Sequence, residues 1–195
     1  MSAVTGFANG NTVVAGSWAN PTYVYADDGS YTVITPAQIT SGLILEVTFP
    51  NLEIPAGSTI NSVLVRTQCK VSNTGAYITA YLRAMYDGAD VGFVASQQMN
   101  TTSDITFDCT TVGTWTVAKL NDGKAGAYIN PYRVSATSST FSVDYIKIMV
   151  DYTPPAAPVS VNIGGTWKTG TGYVNIGGTW KTIESIKENI GGTWK

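Results

Sequence analysis

Thirteen carboxylates and two cysteines, Cys69 and Cys109, are the side chains of this 195-residue sequence best suited to proton transfer, metal binding or nucleophilic attack, because it contains no histidine. The missing imidazole removes Ser-His-Asp and Cys-His catalysis, together with every His-ligated zinc, iron or copper site. Two thiols cannot make a four-thiolate metal centre. No GxxxxGK followed by Ser or Thr is present to cradle a phosphate, and no GxGxxG opens a βαβ unit. Two carboxylates facing each other across a cleft would suffice for glycoside hydrolysis. Thirteen acids make some such pair geometrically easy, so the count carries no weight, and the chain reads as a non-enzyme. Asp27 and Asp28 precede Gly29, which is turn chemistry. As ligands for Ca2+ they fall well short of the roughly six oxygens that the ion takes, so the turn outranks a Ca2+ site and no cofactor is expected. Asp144, in phase with Ile146, reads as an acid held by hydrogen bonds rather than as a catalyst.

Binding chemistry is better supplied. The stretch GAYITAYLRAMYDG alternates Ile78, Ala80, Leu82 and Ala84 against Tyr77, Thr79, Tyr81, Arg83 and Met85, a small apolar face backed by an amphipathic one. Tyr77, Tyr81 and Arg83 are the candidate recognition face. At the other end of the chain NIGGTWK is written three times, which places Ile163, Ile176 and Ile190 and Trp167, Trp180 and Trp194 in equivalent positions. Catalytic sites do not come in near-identical triplicate, whereas stacking units and adhesive surfaces do. Each glycine pair is a two-residue hairpin signal, since a type I′ turn needs positive φ at both central positions. In the second copy the opposed pairs would be Ile176 with Thr179, Asn175 with Trp180, and Val174 with Lys181. A lone hairpin is at best marginally stable, so the six Ile and Trp residues are expected to form a shared core or an assembly interface.

The elements that must position these residues have a period of two almost throughout. Val63, Val65, Thr67, Cys69 and Val71 alternate with Leu64, Arg66, Gln68 and Lys70; Leu43, Leu45, Val47 and Phe49 share one face, as do Ile105, Phe107 and Cys109, and Ile146, Ile148 and Val150. Gly, Pro, Asn and Asp clusters separate these runs at the intervals of an antiparallel sandwich. Trp18 with Pro21 reads as a plug at one end of it, and Ile54-Pro55-Ala56-Gly57 as a turn. Helix is expected only at TPAQIT, where Thr35 could cap a turn begun by Pro36. Both cysteines fall in phase with core residues and read as buried thiols. The prolines of DYTPPAAP mark residues 153–158 as a stiff spacer between a β domain, 1–152, and the repeat tail, 159–195. The fold class is therefore all-β: an antiparallel jelly-roll-like sandwich followed by short β-hairpin repeats.

Composition closes off other classes. Charged residues are 12%, about half the usual share. A net charge of −2 gives no basic stripe for nucleic acid. No run of 18 apolar residues offers a membrane-spanning helix. The start, MSAVTGFANGNTVV, lacks the basic and apolar regions of a signal peptide, so the expectation is a chain made and folded in a reducing cytoplasm.

Four segments in order, SWANP, ADDGSY, IPAGSTINSVLV and SVDYIKIMVDY, are similar to the pattern of a β-sandwich domain found in virion structural and tail-associated proteins of tailed bacteriophages. The similarity covers most of residues 17–152, and the terminal copies of GGTWK resemble repeats that end many phage tail and fibre proteins. The resemblance implies an exposed, non-enzymatic virion component made in the host cytoplasm, either a tail fibre or tip subunit or a capsid decoration protein. It further implies a homo-oligomer, a trimer by analogy with fibrous appendages, that contacts other virion proteins and a host surface glycan. The competing class is a carbohydrate-binding module, in which aromatic residues hold the glycan.

Overall fold

The computed structural model describes residues 1–36, 42–73, 77–99, 101–133 and 136–156 with their side chains, and the strands beyond residue 157 by their backbone. It falls into two units, Met1–Thr153 and Pro154–Lys195.

In the first unit the chain runs through β1 (Ser2–Phe7), β2 (Gly10–Val13), β3 (Thr32–Ile34), β4 (Leu45–Thr48), β5 (Thr59–Val71), β6 (Ile78–Tyr86), β7 (Ala89–Met99), β8 (Ser103–Asp108), the short helix α1 (Val117–Asn121), β9 (Ala125–Arg133) and β10 (Phe141–Thr153). Two antiparallel sheets result. One has the order β1-β10-β5-β8, with β3 also on β10; the other has the order β2-β4-β9-β6-β7. Apart from the β6–β7 hairpin, each successive strand changes sheet, which gives the jelly-roll-like winding. β10 is the spine of the first sheet. It pairs with β5 from Phe141↔Val71 to Thr153↔Thr59, while its other flank is shared by β3 and β1. The β6–β7 turn is Asp87-Gly88, with φ of 52° and 72°. Both residues are left-handed, as a two-residue hairpin that follows the strand twist requires.

The expected phases hold through most of the sandwich. Val63, Val65, Cys69 and Val71 from β5, Ile105 and Phe107 from β8, and Ile146, Ile148 and Val150 from β10 are buried in one core with Leu45, Val47, Ile78, Ala80, Leu82, Ala84, Ala127 and Ile129. Trp18 closes this core edge-on against Phe141, at 6.4 Å between ring centroids.

Several local readings are corrected. Met85 keeps its phase on β6, opposite Gly126 in an unbroken register with β9, but is buried there without joining the sandwich core. A helix forms where none was expected, over Val117–Asn121, with Thr116 Oγ1 accepting the Lys119 N–H at 3.3 Å. TPAQIT spans residues 35–40, of which 37–40 lie outside the described residues. In the 55–58 turn the Ser58 N–H donates to the Pro55 carbonyl at 3.1 Å, so Pro55 is its first residue, and Gly57 takes the positive φ of 83°. The spacer is shorter than 153–158: Thr153 still pairs with Thr59, and Pro158 opens a tail strand. Proline is tolerated at the first position of a strand, where its missing N–H costs no ladder bond.

The second unit is a series of hairpins. β11 (Pro158–Ile163) pairs with β12 (Thr166–Thr171), β13 (Tyr173–Ile176) with β14 (Thr179–Thr182), and β15 (Asn189–Ile190) with β16 (Thr193–Trp194), each as a separate two-stranded sheet. The middle register is Val174↔Lys181, Asn175↔Trp180 and Ile176↔Thr179, as the glycine pair implied. The glycine pairs themselves lie outside the described residues.

Both thiols are free and buried. Burial pushes each up to about 12. The Cys109 N–H donates to the Val63 carbonyl, which sets Cys109 six residues along β5 from Cys69, a separation of about 20 Å at strand rise. A disulfide is out of reach. A thiol reagent is therefore expected to find no reactive cysteine in the folded chain at mildly alkaline pH and both after denaturation; rapid modification of the native protein would contradict this packing.

Asp144 is only 2% exposed and accepts the Gly29 N–H on both carboxylate oxygens, at 3.2 and 3.3 Å. Burial outweighs those bonds and raises its pKa, with Asp27 and Asp28 adding repulsion. Asp104 is the opposite case, held low by Arg66, which donates to it at 2.6 Å, and by Gln68. The raised group binds its proton more tightly when folded. Its contribution therefore favours the fold at low pH and fades as pH rises through the ordinary carboxylate range near 4; that of Asp104 is full above this range and lost as pH falls below it. Asp144→Asn keeps an acceptor for Gly29 without the charge. We expect it to melt at least as high as wild type near pH 7 and to lose that advantage near pH 3; thermal melts at the two values read the difference.

Candidate functional site

The outer face of the β2-β4-β9-β6-β7 sheet carries the residues that β6 and β9 do not bury. On β6 these are Thr79, Tyr81 and Arg83, and on β9 they are Tyr128, Asn130 and Tyr132. The antiparallel register sets Tyr81 opposite Asn130, Arg83 opposite Tyr128 and Thr79 opposite Tyr132. On the far side of β6, Phe93 of β7 stands opposite Arg83. Together Tyr81, Arg83, Phe93, Tyr128, Asn130 and Tyr132 line an open cleft of about 360 Å³.

Backbone irregularity brings Phe93 to this place. Leu82 pairs with Ala95 and Arg83 with Phe93, so Val94 is an extra residue in β7. The bulge turns Phe93 to the outer face while Val94 packs on the core. On β9, Pro131 lacks the N–H of a ladder residue; β4 begins at Leu45, opposite Ile129, so among the described residues no strand pairs with that flank of β9 at Pro131.

Four rings line the cleft, and three of them pack on one another. Tyr81 lies 6.3 Å from Phe93 in a tilted pair and 6.5 Å from Tyr132 in an edge-to-face pair, geometries that aromatic rings favour. Phe93 is 49% exposed and Tyr81 36%, which leaves apolar ring surface in water. Polar groups stand between the rings. Asn130 Oδ1 accepts the Leu43 N–H at 3.2 Å, an arrangement that leaves Nδ2 to donate. Arg83 Nη1 donates to Asp90 in an ion pair. Burial raises the Tyr128 hydroxyl above its ordinary pKa, opposed by the Arg83 cation and assisted by the Asp90 anion, so it is a neutral donor and acceptor at physiological pH. The six lining side chains include no carboxylate and no thiol. The cleft can stack and hydrogen-bond a ligand, and it holds no acid pair for hydrolysis.

Of the three residues expected to form the recognition face, Tyr81 and Arg83 meet in the cleft. Tyr77 is exposed just before β6 and lies outside its lining. Phe93, Tyr128, Asn130 and Tyr132 were not anticipated. The last three carried a usable signal, the alternation in GAYINPYR. Ile163, Trp167, Ile176, Trp180, Ile190 and Trp194 fall in strands of the tail, and their side chains lie outside what is described. Asp28 accepts the Ser30 N–H at 2.8 Å, and Asp27 lies 4.0 Å from Lys147. Among the described residues no three carboxylates or thiols gather to hold a metal. A second depression of about 500 Å³, lined by residues that include Ser17, Ala19, Val33 and Thr35, offers no ionisable or aromatic group.

No family model matches the chain, and no curated protein matches it. Solved structures do resemble it. One described as "CBM4 structure and function" is 16% identical over 77% of this chain and 94% of its own, at a TM-score of 0.40. The N-terminal cellulose-binding domain of Cellulomonas fimi β-1,4-glucanase C is 15% identical over 73% of this chain and 87% of its own, at 0.36. A Stig cyclase from Fischerella is 12% identical over 76% and 74%, at 0.38. Fold does not fix function, which is read from the cleft.

Proposed function

We propose that the sandwich is a carbohydrate-binding module and that the cleft on its outer face holds a glycan without chemical turnover. The observation that carries this reading is the set of rings, Tyr81, Phe93 and Tyr132, around an open cleft whose remaining lining is hydrogen-bonding. A pyranose presents apolar C–H faces and a rim of hydroxyls. The rings stack on the first, and Asn130 Nδ2, the Tyr128 hydroxyl and Arg83 serve the second. Stacked nucleotides suit the cleft poorly, because single-stranded nucleic acid needs a cationic track for its phosphates and the one lining cation, Arg83, is paired with Asp90.

The three consecutive hairpins favour a second element in the proposal. Isolated two-stranded units gain stability by leaning on something, which suits a tail that docks. With the segments similar to those of tailed-phage proteins, this supports an exposed virion component, made in the host cytoplasm, that assembles as a homo-oligomer, a trimer foremost, and displays the module towards host surface glycans. Trp167, Trp180 and Trp194 are the anchors of that assembly.

Two experiments test these readings. Tyr81→Ala and Tyr132→Ala should each weaken binding to the best ligand of a glycan array by tenfold or more, about 1.4 kcal/mol, with little change in melting, since both rings are partly exposed. Wild-type protein that retains no glycan, or a Tyr81→Ala variant that binds as tightly, would sink the module reading. For the tail, Trp180→Ala should shift sedimentation towards monomer while the sandwich melts unchanged; a wild-type chain that sediments as a monomer at micromolar concentration would remove the assembly role.

A further inference from the structure

The charge of the cleft is set by a residue just outside it. Asp90, near the start of β7, uses both carboxylate oxygens: Oδ2 accepts from Arg83 Nη1, and Oδ1 accepts the Gly92 N–H at 2.9 Å. The second bond closes an Asx turn across an irregular stretch. β7 has one extra residue between Asp90, opposite Met85, and Gly92, opposite Ala84; it has another between Phe93, opposite Arg83, and Ala95, opposite Leu82. Gly92 lies at φ 148°, and a Cβ there would come within 2.8 Å of Val112 Cγ1, so the bulged segment is fitted closely to its surroundings. One carboxylate thus pins the segment that presents Phe93 and neutralises the only cation of the cleft. Glu46, outward on β4 and opposite Tyr128 in register, lies two strands from Arg83 and outside the cleft lining.

We propose that Asp90 is the specificity-determining residue of the cleft, and that by engaging Arg83 it makes the site select neutral sugars and reject uronic acids. The proposal rests on the glycan-binding reading above and adds the ligand class. An unpaired guanidinium among aromatic rings would attract a sugar carboxylate as a forked, charge-assisted pair. With Asp90 in place that partner is already occupied and the charge of Arg83 is balanced. A uronate arriving there finds no free cation and would have to displace Asp90 to reach Arg83. A neutral sugar needs only the rings and the remaining donors. Discrimination built against the wrong ligand is a general route to specificity.

The test measures binding of the full chain to an array of oligosaccharides in which neutral members and their uronic-acid counterparts are matched in length. Wild type should favour the neutral members by at least tenfold. Asp90→Asn and Asp90→Ser each retain an acceptor for the Gly92 N–H while releasing Arg83, and in both the ratio of uronate to neutral binding should rise by roughly tenfold, the value of one charge-assisted contact at a partly exposed site. Adding Arg83→Gln to either variant should cancel the rise. A wild type that holds uronates as tightly as neutral sugars, or a ratio unmoved in both Asp90 variants, overturns the proposal and leaves the glycan-binding reading standing. Wild-type protein that binds no member of the array overturns both.

Discussion

Side chains on β6 and β9 alternate between a core that excludes water and a face that stays open to it, and one hydrogen-bonded register fixes both. Ile78, Ala80 and Leu82 are buried while Tyr81 and Arg83 look outward, and the same division runs through Ala127 and Ile129 against Tyr128 and Asn130. A slip of a single residue would drive a guanidinium and a phenol into the core and leave leucine and isoleucine in water, so the burial of one face holds the other in position. The cleft needs no packing of its own to be rigid. Its ring spacing follows from strand spacing and strand rise, which the core has already determined.

The third strand of the cleft departs from this regularity. β7 is an edge strand, and its two slips against β6 let Phe93 face outward where strict alternation would not have kept it in step. Edge strands tolerate such bulges because only one neighbour has to accommodate them. They also expose backbone to unwanted pairing, and the added twist of a bulge and the charge of Asp90 work against that. The irregular strand therefore supplies the part of the cleft that the regular strands cannot, with Asp90 holding it in shape.

How much of this was legible in the sequence follows from the same physics. Where a strand alternates without interruption, as in Val63 to Val71 or Ile146 to Val150, phase could be read directly and the core agrees. Tyr81 and Arg83 were legible for the same reason. Met85 has the phase that alternation gives it, and its burial depends on neighbours that a single strand does not reveal. Phe93 was hidden by the neighbouring bulge in β7. Tyr128, Asn130 and Tyr132 do alternate, but Asn-Pro in their midst has the composition of a turn, and the proline is acceptable there because β4 starts only at Leu45, opposite Ile129. The helix at Val117–Asn121 is too short to display a period; its one sign was Thr116 in a capping position.

Every hairpin of the tail closes its hydrogen bonds within its own repeat: β11 with β12, β13 with β14, and β15 with β16. In a continuous sheet, inserting or deleting a strand leaves its neighbours to find new partners. Here a whole repeat can be gained or lost with the pairing inside the others untouched. The gene can therefore lengthen or shorten this region by unequal recombination between near-identical stretches, one hairpin at a time, and each product still has all its strands matched. Copy number becomes a quantity that selection can adjust independently of the sandwich.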